Sequence, residues 1–449
     1  MKREKLFGTD GVRGKANEPP ITADFMLKLA QVIANETKNG QGHRRVVIGK
    51  DTRLSGYMLE SAITAGFVSA GVDVMLVGPI PTPAIAFLTR SLRADLGVMI
   101  SASHNPFDDN GIKIFAADGF KLNDDLEKRI EQRLAQNNIH LASPLEFGRV
   151  KRIEGATERY IEFIKASLPR GMRLDGMKIV VDCANGAAYK TAPAVLQELG
   201  AQVITLATTP NGLNINQDCG ALFPSNLMKH VLENQADFGF ALDGDADRVV
   251  ICDENGQIWD GDQVLAAIIA GWQPSGRIHG ATVIGTIMSN FGFEEFVHSK
   301  GLKFDRTAVG DRYIVEAMQK TKCNIGGEQS GHIILSDFST TGDGTIAAMQ
   351  VLAVLWQQKK TASQLSGLYK PYPQKMTNIP YRNKQTLEQP LVQQEIAKVQ
   401  AKLGRKGRLV IRKSGTEPVI RVMIEVEDQR LGDQLIKGLQ QTIMKHAHD

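Results

Sequence analysis

Alternation of apolar strand and helix patterns constrains the fold of this chain more than any other feature. "RRVVIGKD" is a short run rich in β-branched residues, the pattern of a buried strand. "YMLESAITAGFVSAG" follows with helical spacing and a glycine stop. Then come the strand "VDVMLVG", the helix "TPAIAFLTRSLRA" with Pro83 in its first turn, and the strand "LGVMISAS". The same order returns after Gly176, from "MKIVVDCA" to "DFGFALDGDADR", and again after Gly280, from "ATVIGTIM" to "CNIGGEQSGH". Each third strand runs into a polar loop containing glycine. Alternation of this kind predicts parallel sheets with helices on their faces. Ligands of such sheets bind beyond the carboxyl ends of the strands. Three loops can serve one cleft only if the three units pack around it.

The last part of the chain differs. "YKPYPQKMTNIPYRN" carries three prolines and reads as a linker or irregular edge. "GRLVIRKSGTEPVIRVMIEVEDQ" reads as two strands joined by a turn, and "RLGDQLIKGLQQTIMKHA" as an amphipathic helix, so a small α+β domain is expected here. A length of 449 residues allows two to four domains. The boundaries expected are 1–153, 154–254, 255–368 and 369–449. A formal net charge of +4 spread over this length carries no signal for nucleic acid or membrane. Cys183, Cys219, Cys252 and Cys323 are widely spaced and form no CxxC pair, which argues against a disulfide framework or zinc site and for a reducing compartment. The opening "MKREKLFGTDGVRG" has no apolar run of the signal-peptide kind, and no stretch reaches membrane-span length, so a cytoplasmic protein is expected.

Four loops carry chemistry. In "DGDADR", Asp243, Asp245 and Asp247 alternate, so an extended backbone would send all three to one side. Carboxylates held that close need a cation, and hard oxygen ligands suit Mg²⁺ or Ca²⁺. Glu254 falls at the twelfth position of a calcium-hand loop, but Arg248 stands where that loop needs glycine, so a magnesium site is the reading. In "ISASHNPFDDNGIK", Ser103, His104 and Lys113 lie at or just beyond a strand end. Each alone reads as a turn, structural or surface residue. Beside a divalent cation, the serine becomes a candidate for phosphoryl transfer. A phosphoserine would be repelled by three bare carboxylates, so a metal must bridge them. Arg13 and Arg248 are candidate counter-charges. In "GGEQSGH", Gly326, Gly327 and Gly331 permit close backbone approach, and Glu328, Ser330 and His332 suit sugar hydroxyls. In "RKSGTEPVIR", Arg412, Ser414, Gly415 and Thr416 have the equipment of a phosphate cradle, with Arg421 on the following strand. No Walker pattern occurs, so a nucleoside triphosphate is not indicated.

With these loops in this order, the chain resembles the α-D-phosphohexomutase superfamily over nearly its whole length. "SASHNP" is similar to that family's phosphoserine loop, "DGDADR" to its metal loop, "GEQSGH" to its sugar loop and "RKSGTEPVIR" to its phosphate loop. Gln329, "FGTDGVRG" and "TAVGDRYI" resemble the branch acting on glucosamine phosphates. The resemblance implies an α/β fold: three repeated α/β domains with mixed sheets plus a smaller C-terminal α+β domain around a central active-site cleft. It implies interconversion of glucosamine 6-phosphate and glucosamine 1-phosphate through a bisphosphate. One Mg²⁺ per chain would be held by Asp243, Asp245, Asp247 and the phosphate on Ser103, with a hexose 1,6-bisphosphate as activator. The implied partners are a small sugar phosphate and a second copy bound through the first domain, with neither nucleic acid nor membrane. His104 and Lys113 would flank the nucleophile, and His332 is a candidate proton carrier that the sequence does not rank against Lys113. Three alternatives stay open: a phosphomannomutase or phosphoglucomutase, a metal-dependent phosphatase, and a catalytically silent sugar-phosphate-binding protein.

Overall fold

Buried β-branched runs pair side by side, and short loops decide which of them turn back. The computed structural model of the chain describes residues 6–8, 10–37, 44–136, 138–383, 385–404, 406–413 and 418–447. It divides into two compact units, one of residues 1–286 and 302–368, the other of residues 287–301 and 369–449.

In the first unit, β1 (Val12–Lys15), β2 (Arg44–Lys50), β3 (Val72–Pro79), β4 (Leu96–Ile100), β5 (Asp109–Ala116) and β6 (Val150–Arg152) form a sheet in the order β1-β5-β4-β2-β3-β6. Strand β2 lies parallel to β3 and β4, while β5 runs antiparallel to β4 and β1. The second sheet holds β7 (Lys178–Asp182), β8 (Gln202–Leu206), β9 (Phe238–Leu242), β10 (Val249–Asp253) and β11 (Ile258–Trp259), in the order β11-β10-β9-β7-β8. The third holds β12 (Thr282–Thr286), β13 (Lys303–Thr307), β14 (Ile325–Gly327) and β15 (Ile333–Leu335), in the order β13-β12-β14-β15.

The strands that alternation names are parallel within each repeat, but each sheet also holds a returning antiparallel strand that alternation does not name, so the sheets are mixed, as the family resemblance implies. The reason is loop length. A parallel return needs a crossover of roughly a dozen or more residues. Only residues 101–108 separate β4 from β5, 243–248 separate β9 from β10, and 328–332 separate β14 from β15. Each second strand therefore comes back antiparallel. All three candidate loops are thus the same element: the hairpin at which a parallel sheet reverses.

In the second unit, β16 (Gln374–Pro380), β17 (Gly407–Lys413) and β18 (Val419–Val426) form an antiparallel sheet in the order β16-β18-β17. Helices Pro390–Leu403 and Gln429–His446 contribute Val392, Val399 and Leu439 to a core with Ile379, Ile420 and Ile424. The proline-rich stretch is therefore no linker over Gln374–Pro380 but a regular edge strand, entered after Pro371 and Pro373 and closed by Pro380, where no ladder donor is needed. Helix Phe291–Ser299, which the alternation assigns to the third repeat, belongs to this unit. The Asn290 side chain caps it, donates to the Tyr372 carbonyl at 3.0 Å and accepts from the Tyr372 N–H at 2.9 Å. No helix among the described residues is long and apolar enough to cross a membrane.

Asp343 anchors the longest buried helix of the first unit, Gly344–Gln358. One carboxylate oxygen accepts from the Ile346 N–H at 2.9 Å and the other from Tyr160 Oη at 2.7 Å. Burial raises its pKa from 3.8 to about 6. The folded state then binds more protons than the unfolded state between these values. The linked stabilisation is complete below the unfolded pKa and is lost as pH rises through the folded one. In urea titrations from pH 4 to 7, the stability difference between wild type and Asp343→Asn should fall with rising pH by about 2–3 kcal/mol. A difference independent of pH would refute the assignment.

Candidate active site

Ser103 leaves β4 in the left-handed region, with φ 53°, which costs a non-glycine residue about 1–2 kcal/mol. The surrounding bonds over-determine it. Its N–H donates to Ser101 Oγ at 2.9 Å, and that hydroxyl donates to Asp51 Oδ2 at 2.7 Å. Arg53, wholly buried, spends its guanidinium on this loop. Nε donates to Asp51 at 2.7 Å, Nη1 to the carbonyls of Pro106 and Asp109, and Nη2 to those of Ser103 and Asn105 at 2.9 Å. Asn216, from the second repeat, donates to the same two carbonyls at 2.9 and 3.0 Å. The hydroxyl of Ser103 donates to Asp243 Oδ2 at 2.6 Å and lies 3.3 Å from His104 Nδ1.

Asp243, Asp245 and Asp247 are buried, and one ligand oxygen from each lies within 4.8 Å of the others. They converge for a different reason than alternation. Residues 243–247 form a turn, with Ala246 at φ 59° and its N–H donating to the Asp243 carbonyl at 3.0 Å. Burial, then the charges of Asp247 and Asp245, push the Asp243 pKa up to about 8. Burial opposes ionisation of Asp247 as well, but Lys113 and His332 hold its pKa well below the ordinary carboxylate range. Lys113 is no solvated charge. It points from β5 into the acidic turn, with Nζ 2.7 Å from Asp245 Oδ2, 2.8 Å from Asp247 Oδ2 and 3.1 Å from Asp10 Oδ2. Against burial, these three carboxylates raise its pKa. Asp245 Oδ1 and Asp247 Oδ1 are buried without a hydrogen-bond partner. Buried, unpartnered oxygens on two of three crowded carboxylates fit an oxygen-liganded divalent cation.

In the third loop, Glu328 accepts from the Gly310 N–H at 2.9 Å and from Ser330 Oγ at 3.1 Å. Gly310 sits at φ 131°, which explains the glycine of "TAVGDRYI". His332 Nε2 accepts from the Gly342 N–H at 3.1 Å, and Nδ1 lies 3.6 Å from Asp247 Oδ1. A Cβ at position 342 would come within 2.5 Å of the imidazole, so only glycine seats it. Gln329 donates to Asp260 Oδ2 at 3.1 Å, the capping carboxylate of helix Gly261–Trp272. Arg13 pairs with Asp10, and the Arg248 N–H donates to Asp243 Oδ1 at 3.1 Å. Both arginines line a cavity of about 410 Å³ with His104, Asp247, Glu328 and His332.

In the second unit, Arg412 on β17 stands opposite Arg421 on β18, which pairs with Asn378 on β16. The three line a cavity of about 370 Å³ with Met288 and Met423. Ser414, Gly415 and Thr416 lie outside the described residues.

The first unit thus brings together Ser103, His104, Lys113, Asp243, Asp245, Asp247, Arg13, Arg248, Glu328, Ser330 and His332. Sequence reasoning missed Asp10, Arg53 and Asn216. For Arg53 a signal existed: "DTR" follows the carboxyl end of the first strand as "SAS" follows that of the third. Replacing Arg53 with Met leaves Asp51 buried without its partner. Urea denaturation should register a loss of about 3–5 kcal/mol, and a loss below about 1 kcal/mol would show the guanidinium to be dispensable.

Comparison with known proteins follows this layout. Models described as phosphoglucomutase/phosphomannomutase alpha/beta/alpha domains I, II and III match residues 4–139, 158–256 and 260–372, and the C-terminal domain model of the same family matches residues 376–439. The chain is 56% identical over 436 residues to the phosphoglucosamine mutase of Rhodospirillum centenum, covering 95% of this chain and 92% of that one. It is 55% identical over 440 residues to that of Granulibacter bethesdensis, covering 97% and 96%. A phosphoglucomutase/phosphomannomutase family protein from Burkholderia thailandensis superposes with a TM-score of 0.82 at 24% identity, covering 99% and 98%. The N-acetylphosphoglucosamine mutase of Aspergillus fumigatus, in complex with GlcNAc-6P and magnesium, superposes with a TM-score of 0.69 at 17% identity, covering 98% and 96%.

Proposed function

The chain belongs to the phosphoglucomutase/phosphomannomutase family, and from that premise we propose that it carries phosphoglucosamine mutase activity, interconverting glucosamine 6-phosphate and glucosamine 1-phosphate. One observation carries the reading of the site: the hydroxyl of Ser103 lies 2.6 Å from the first of three buried, converging carboxylates.

In this reading Ser103 carries a phosphoryl group. A free hydroxyl of the bound monophosphate attacks phosphorus, the bond to Ser103 Oγ breaks, and the sugar hydroxyl gives up its proton to a neighbouring base. The resulting 1,6-bisphosphate presents its other end; Ser103 Oγ attacks that phosphorus, the bond to the sugar oxygen breaks, and that oxygen takes the proton from the base as the isomer leaves. Asp243, Asp245 and Asp247 would hold Mg²⁺, the hard ion their oxygen donors suit. When bound, it neutralises charge on the transferring group. Lys113, its proton retained among three carboxylates, acts as fixed positive charge rather than as base. His104 is 3.3 Å from the serine oxygen and neutral, because burial and then Arg248 and Arg13 lower its pKa to about 4. That makes it a weak acceptor. His332 has Nε2 taken up by the Gly342 N–H and Nδ1 facing Asp247, so it acts as a proton carrier only through Asp247, whose carboxylate it holds. Glu328 and Ser330, braced against Gly310, offer acceptors to sugar hydroxyls. Arg412 and Arg421, with Ser414, Gly415 and Thr416, are read as the grip on the non-reacting phosphate. The cross-strand arginine pair supports that role. Four free, buried cysteines agree with a reducing, cytoplasmic setting.

The test is a mutase assay on glucosamine 6-phosphate with Mg²⁺ and a hexose 1,6-bisphosphate. Glucosamine 1-phosphate should form with kcat/KM at least about tenfold above that on glucose or mannose phosphates. A preference for those sugars, or stoichiometric release of inorganic phosphate, would replace the reading. Ser103→Ala should abolish turnover with an unchanged circular dichroism spectrum, and residual mutase activity there would remove the nucleophile. Arg412→Ala should raise KM by about tenfold or more, and an unchanged KM would take the phosphate grip elsewhere.

A further inference from the structure

We infer that Thr82 is a positioning residue for the metal ligand Asp245, engaging one carboxylate oxygen so that the other is left for the cation. The inference rests on the metal reading above and extends it to a residue that no motif singles out. Thr82 opens helix Thr82–Ser91 directly after β3, between Pro81 and Pro83, and is wholly buried. It meets Asp245 twice. Its backbone N–H donates to the Asp245 carbonyl at 2.9 Å, and its hydroxyl donates to Asp245 Oδ2. Lys113 Nζ donates to the same Oδ2 at 2.7 Å. Two donors therefore occupy Oδ2, while Oδ1 is buried with no hydrogen-bond partner.

A carboxylate free to rotate could present either oxygen, or both, to a cation. The Thr82 hydroxyl removes that freedom. Its backbone bond fixes the hydroxyl's height on the turn, Pro81 holds the preceding φ at −54°, and the β-branch restricts χ1. Such outer partners orient ligating groups, and their removal lowers metal affinity by about 10–100-fold. The contact also joins the first repeat to the metal turn of the second, so a helix start helps to position the turn alongside its own Ala246–Asp243 bond. A merely structural role would predict a stability effect without a change in metal affinity.

The two are separated with full-length protein in dephosphorylated form, using Mn²⁺ as the probe. Mn²⁺ dissociation constants are measured by electron paramagnetic resonance for wild type, Thr82→Val and Thr82→Ser, alongside thermal melts in chelator. Thr82→Val should weaken Mn²⁺ binding by about 10–100-fold, while Thr82→Ser, which keeps the hydroxyl, should stay within about threefold of wild type. Should the valine variant fail to fold, Thr82→Ala gives the same comparison without added bulk. Wild-type affinity in a folded hydroxyl-less variant overturns the inference, whatever its melting temperature. Failure of wild type itself to bind Mn²⁺ overturns the metal reading first, and this inference with it.

Discussion

Three carboxylates on one dry turn cannot all ionise without compensating charge, and the site is built around that constraint. At a separation of 4.8 Å, each ionised pair repels by about 3–4 kcal/mol at an effective dielectric constant of about 20. The first repeat supplies the Lys113 ammonium at the outer oxygens of Asp245 and Asp247. The turn's own Arg248 supplies an N–H to Asp243, and the third repeat sets His332 beside Asp247. The donors do not cover every oxygen. What is left, one oxygen each of Asp245 and Asp247 without a hydrogen bond, is the complement of a small hard cation.

The same economy of chain explains why the site lies where it does. Three times, a loop too short for a crossover forces the next strand to reverse, and three times that reversal carries the reactive residues. A hairpin at the carboxyl end of parallel strands is anchored on both sides by ladder hydrogen bonds, so its side chains are held more firmly than those of a free loop. The left-handed Ser103 needs such an anchor, and Asn216 and Arg53 complete it.

Much of this was legible in the sequence, and the limits follow physical lines. The four loops could be read because each concentrates residue types that a turn alone does not require. Strand identity could be read because apolar runs are local. The parallel strands could be read from alternation, but the antiparallel strand that follows each reactive loop could not, since its direction depends on loop length measured against sheet geometry. The convergence of Asp243, Asp245 and Asp247 was foreseen for the wrong reason: a turn with Ala246 left-handed does what an extended strand was expected to do. Arg53, Asn216 and Asp10 escaped notice because their partners lie far along the chain, and nothing in a single residue announces a distant carbonyl. The prolines around Gln374–Pro380 leave a linker and an irregular edge both open; the stretch is an edge, and a regular one, because an edge tolerates proline at its end.

Asp10 shows how the charge problem extends beyond the metal turn. It sits 3.1 Å from Lys113, pairs with Arg13 and Lys121, and through Lys121 reaches Asp311 at the start of helix Asp311–Thr321. One residue later, Arg312 pairs with Asp124 and Glu127 of helix Asp124–Gln136. The first and third repeats are therefore tied by alternating charges that run outward from the acidic turn. On the reading proposed above, a divalent cation seats first on the carboxylates, and a phosphoserine of charge about −1.5 to −2 then meets a cation rather than bare carboxylates. A phosphate without the cation would face the carboxylates, whereas the cation alone is already met by the three carboxylates. On that reading the phosphoryl group depends on the cation more than the cation depends on the phosphoryl group, because the carboxylates that hold the one would repel the other.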